Sequence, residues 1–66
     1  MMKRYLSRRI ELVDSEGNLI AVHNLSIATV HDGGRLEITP FERETAGVEY
    51  VDSTLVFRIE KGRIIR

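Results

Sequence analysis

Residues 19–30 read LIAVHNLSIATV, and how this run folds decides the architecture. Eight of its twelve residues are apolar, and Ile20, Val22, Ile27, Thr29 and Val30 are β-branched. Such side chains are stiff about their first torsion and pack well on a pleated surface, which predicts a strand. The alternation breaks once. Ile20 and Val22 share one face and Leu25 and Ile27 share another, because side chains alternate with a period of two. A bulge or sharp bend at His23-Asn24 reverses the alternation and returns both pairs to one side. The competing reading is a strand buried on both faces, where alternation is not required.

Upstream, Tyr5 to Asp14 (YLSRRIELVD) places Leu6, Ile10 and Leu12 on even positions against Arg9 and Glu11, with Arg8 interrupting the apolar row. This is a second strand. Ser15-Glu16-Gly17-Asn18 joins the two as a hairpin connection. Downstream, His31-Asp32-Gly33-Gly34 is the strongest turn signal, and Leu36 to Thr39 follow as a strand that ends at or near Pro40, which has no N–H to give a ladder. Glu42 to Gly47 is polar and reads as an exposed loop or one helical turn. Val48 to Val51 and Leu55 to Ile59 alternate again, with Asp52-Ser53-Thr54 between them as a turn or as the middle of one long strand. Glu60-Lys61-Gly62 is a tight turn before a short last strand, 63–66.

The fold expected is therefore one all-β domain over residues 1–66. It is a small antiparallel meander of five to six strands, forming a compact SH3-like or OB-like barrel or a half-open sheet. Its core should draw on Leu12, Ile20, Val22, Leu25, Ile27, Leu36, Ile38, Phe41, Leu55, Phe57 and Ile59.

A chain of 66 residues buries only about 60% of the surface that its unfolded form exposes. Small domains add disulfides, a metal or a partner subunit to compensate. There is no cysteine, which closes the disulfide and thiolate-metal routes. Self-association remains, and a homodimer is expected, two-fold pairs being the commonest assembly. A further protein partner is also compatible with open strand edges. No apolar run approaches the roughly 20 residues that span a bilayer, so no membrane role is expected, and the cytoplasm is the compartment expected.

Catalytic signals are weak. Glu42 and Glu44 flank Arg43 in a polar segment with little room for a cleft that would shift a carboxyl pKa. Ser7, Ser15, Ser26 and Ser53 have no nucleophile elbow around them. Asp32-Gly33-Gly34-Arg35 lacks the Gly-Lys-Ser/Thr ending of a phosphate loop. His23 and His31 are eight residues apart, about 26 Å along an extended strand. No enzyme activity, no cofactor and no metal site is expected.

The zero net charge hides a pattern. Residues 1–9 carry Lys3, Arg4, Arg8 and Arg9 without an acid, residues 10–57 carry nine acids against Arg35 and Arg43, and residues 58–66 carry Arg58, Lys61, Arg63 and Arg66 against Glu60. Gathered together, these eight terminal cations would form a basic binding surface, and nucleic acid is the alternative partner on that ground. The neutral net charge and four aromatics argue against it. The function expected is a non-enzymatic module for protein interaction or self-assembly.

Overall fold

The structure, a computed structural model, describes residues 2–43 and 46–65. It is all-β, with six strands: β1 (Lys3–Val13), β2 (Leu19–Val30), β3 (Leu36–Pro40), β4 (Val48–Val51), β5 (Leu55–Glu60) and β6 (Arg63–Ile64). The long β1–β2 hairpin sets the 34 Å length of the molecule. At about 3.3 Å per residue eleven residues of β1 reach that far.

The hairpin is capped by its turn residues. Asp14 Oδ1 accepts the Glu16 and Asn18 amides at 2.9 and 2.8 Å, while the Asp14 amide donates to Asn18 O at 2.9 Å. The Asn18 N–H, the largest influence, holds the Asp14 carboxyl below its ordinary 3.8, against an opposing effect of desolvation. At the other end, Ile59 pairs with Ile64 and Glu60 with Arg63. The two-residue loop Lys61-Gly62 has φ of 55° and 76°. Both central residues of a type I′ turn need positive φ, which matches the twist of the flanking strands.

Strand order is β3-β2-β1-β5-β6, with β4 also on β1. The sheet is mixed, and this corrects the expectation of a purely antiparallel meander. β1, β2 and β3 are antiparallel neighbours, but β4 and β5 both run parallel to β1, on the edge away from β2. The 41–47 connection passes from β3 to the far side of β1 instead of forming a hairpin. Parallel strands need a crossover, commonly of a dozen residues or more. A shorter one suffices because only β2 and β1 lie between, about 14 Å across three strand spacings.

β4 and β5 are one interrupted strand. Arg4 to Ser7 pair with Val48 to Val51, and Ile10 to Val13 pair with Leu55 to Arg58. The offset grows by one residue between the two ladders, so 52–54 is a bulged break rather than a turn. The same level of the sheet is irregular in β2, where Leu25 has φ of 49° and the pairing skips from Ser26–Ser7 to Asn24–Arg9. Three adjacent strands thus bend along one line. Ser7 sits at its centre, fully buried. Its Oγ lies 2.8 Å from Ser53 O and 2.9 Å from Arg9 O, and it accepts the Arg9 amide at 3.2 Å.

The bend expected at His23-Asn24 is one residue further on, and it does not shift the β1–β2 register. That shift falls between Leu12 and Val13, which face Ala21 and Leu19 and leave Ile20 bulged out. Beyond the bend, Ser26, Ile27, Ala28 and Thr29 are all buried. Four successive residues alternate faces, so this half of β2 is covered on both sides, as the competing reading held. On the Ile27 side, Arg4, Thr39, Pro40 and Glu42 surround a shallow groove floored by Ile27, and Arg4 Nη1 donates to Ala46 O at 3.1 Å. The described ends of the crossover therefore lie over this face.

The sheet curls without closing. One bridge joins Arg35 to Arg63, and the Leu36 amide points at Gly62 O at 3.5 Å. Gly34 permits this approach. Its φ is +86°, and a Cβ there would meet Ile64 O at 3.4 Å.

Core membership departs from expectation in both directions. Ile10 and Ala28 are fully buried and Ile27 nearly so. Leu12, Val22, Leu36, Ile38, Leu55, Phe57 and Ile59 are half-buried. Ile20, Leu25 and Phe41 are exposed, because the bulge ejects Ile20, the left-handed backbone turns Leu25 outward, and Phe41 begins the crossover.

Candidate functional site

Dividing the sheet at the bend leaves its two halves unequally satisfied. β3 pairs with Ser26 to Val30 only. The first half of β2, Leu19 to Asn24, has β1 on one side and, among the described residues, no strand on the other. An edge of this kind presents a row of unmet N–H and C=O groups along the chain. Natural edges are usually blunted by lysine, proline or inward charge, but Leu-Ile-Ala-Val-His-Asn has no charged residue and no proline. The Ile20 bulge is its one such device, and it stands at the end of the run.

The side chains match the edge. Residues opposite one another in a ladder share a face, so Val22, Glu11 and Val56 form one row across the sheet, and Leu19, Val13 and Arg58 the next. Leu19, Ile20 and Val56 are 56, 58 and 56% exposed. An uncharged edge and two exposed apolar side chains therefore meet at Leu19 and Ile20, on a sheet face that also carries Glu11 and Arg58. The sequence carries the signal for this in the absence of charge from 19 to 24, but the position of an edge depends on long-range pairing.

A second feature lies at the bend. Arg8, Arg9, Tyr50, Val51, Asp52, Ser53 and Thr54 line a pocket of about 250 Å³. Tyr50 is half exposed, and its hydroxyl is 3.4 Å from Asp52 Oδ1. Arg9 Nε pairs with Glu11 Oε2 at 2.8 Å, an exposed contact worth at most about 1 kcal/mol.

The terminal cations are spread along β1. Arg4 lies opposite Val48, whereas Arg58 lies opposite Val13 at the other end of the strand. Lys3 begins β1, Lys61 is in the last turn, and Arg63 meets Arg35 at the bridge. Arg8 and Arg9 share the pocket at the bend, Lys3 and Arg4 line another with Tyr5 and Glu49, and Arg66 lies outside the described residues. His23 sits opposite Ile10, and His31, at the far end of β2, bonds Glu37 Oε1 through Nε2 at 2.9 Å. Glu42 lines the Ile27 groove, and Glu44 lies outside the described residues. Among the described residues no three metal-ligating side chains cluster, and no helix is long and apolar enough to cross a membrane.

No family model, curated protein or solved structure matches the chain.

Proposed function

We propose that this chain is a non-enzymatic small β module acting through protein interaction, above all self-assembly. The observation that carries this reading is the uncharged, one-sided edge Leu19 to Asn24 beside exposed Leu19 and Ile20. Main-chain bonding at such an edge is a common mode of recognition between proteins. The surface area agrees. A compact chain of 7.6 kDa exposes about 4,300 Å² by the size scaling of monomers, and this one exposes 4798 Å². The excess of about 500 Å² reflects an open, extended sheet, and a specific interface would bury about 600–1,000 Å² per partner. The proposal takes the curled sheet as a half-open relative of the small SH3-like or OB-like barrels, and the cytoplasm as its compartment.

Light scattering at two salt concentrations, with and without mixed single-stranded oligonucleotides, tests it. A salt-insensitive mass near twice 7.6 kDa that ignores oligonucleotide is the expected result. A monomer that gains mass with oligonucleotide at low salt and loses it at high salt would replace this reading with the second one. That reading is nucleic-acid binding at Arg8, Arg9 and Tyr50, two cations and a stacking surface in one pocket. Under it, Arg8→Glu with Tyr50→Ala would abolish the gain.

A further inference from the structure

We infer that two copies of this chain join edge to edge, the Leu19–Asn24 half of β2 pairing antiparallel with the same segment of the second copy across a two-fold axis at or beside Val22. This rests on the self-assembly reading and specifies its geometry.

Two-fold symmetry requires a self-complementary surface. A strand paired antiparallel with its own copy meets that requirement, since each residue then faces its symmetry counterpart's neighbourhood. Charge and length select which edge. Among the described residues β5 is also open on the side away from β1, but its uncharged run there is only Leu55 to Phe57, ending at Arg58. β3 carries Glu37 and ends on Pro40, so its self-pairing brings acids together and lacks a donor. β4 carries Glu49, which returns near its own copy across the axis. Leu19 to Asn24 brings no like charges together, and Ala21 to Asn24 remain in regular register with β1. Pairing there extends the half-sheet β2-β1-β5-β6 into one sheet continuous through both copies. With the axis at Val22, Leu19 faces Leu25 and Ile20 faces Asn24 of the second copy, so the side chains of Leu19 and Ile20 both lie at the junction. Those two side chains are the exposed ones nearest the edge, and their burial supplies the apolar contact that backbone bonding alone lacks.

The test is sedimentation equilibrium over a concentration series, on the full chain and on three variants. The unmodified chain is expected to rise from 7.6 kDa toward twice that mass. Ile20→Lys replaces an apolar side chain at the junction with a charge that meets no acid there, and association should weaken at least about tenfold. Leu19→Lys should repeat the effect. Val56→Lys, equally exposed but on β5, should leave the dimer unchanged. Circular-dichroism melts establish that each variant folds, and Leu19→Lys carries the test if Ile20→Lys does not. A chain that stays at 7.6 kDa throughout overturns self-assembly itself, and with it this inference. A dimer that survives both edge variants, or that Val56→Lys alone disrupts, overturns edge pairing while leaving assembly in place.

Discussion

Ser7→Ala is the substitution that probes the bend most sharply. The hydroxyl has one proton to donate, to Ser53 O or Arg9 O, and it accepts the Arg9 amide. Its removal takes a partner from at least one carbonyl and from the Arg9 N–H, groups of the exposed residues Arg9 and Ser53 that are part-buried around the fully buried Ser7. An unmet buried group costs about 1–3 kcal/mol. Two groups, each only partly shut off from water, come to about 2 kcal/mol in all. A domain of 66 residues has about 3–10 kcal/mol of total stability, so this is a large share. At about 4–8 °C per kcal/mol for so small a domain, the melting temperature should fall by about 8–16 °C. Ser53→Ala is the control. Only the main-chain carbonyl of Ser53 takes part, so that change should stay within about 0.5 kcal/mol. Thermal unfolding by circular dichroism, supported by urea titration, reads both. A Ser7→Ala melt within about 2 °C of the parent, or an equal loss from Ser53→Ala, would refute the role given to this hydroxyl.

Other consequences are accessible to the same assays. Gly34→Ala places an L-residue at φ +86° with its Cβ against Ile64 O, and should cost about 1–2 kcal/mol while loosening β6 from Arg35. Phe57→Ala, opposite Leu12, should cost about 3 kcal/mol; a parent-like melt would remove Phe57 from the core. Asp14→Ala has a pH signature. The folded carboxyl titrates below the unfolded one, so its contribution is present above the ordinary carboxylate range and is lost as pH falls through the folded value. The variant should therefore be less stable than the parent near neutrality, with the gap closing in acid; a pH-independent gap counts against the turn.

The strands were legible because period-two alternation is a local signal, and so was the Lys61-Gly62 turn, whose backbone requirement is written in its residues. What local pattern does not specify is which strand a strand joins. Val48 to Val51 and Leu55 to Ile59 alternate equally well in a meander and in the parallel arrangement found, so the crossover left no trace in the periodicity. Leu25 takes the left-handed conformation that its neighbour Asn24 would adopt more readily, so the break in parity was visible but its exact residue was not. Ser7 read as an ordinary polar position, since burial of one hydroxyl by three strands is a tertiary fact. The edge at Leu19 to Asn24 followed from the same gap. Those residues are apolar enough for a core, and only the short reach of β3 leaves them open.

Residue-resolved amide exchange at low and high protein concentration tests most directly whether the bend leaves half of β2 as an open, pairing edge. Amides of residues 26–30, flanked by β1 and β3, should be protected at every concentration. Alternate amides of residues 19–24, those turned away from β1, should exchange freely when dilute and become protected as the mass doubles. Protection of those same amides at the dilute limit, or a doubling of mass that leaves them unprotected, would contradict the account.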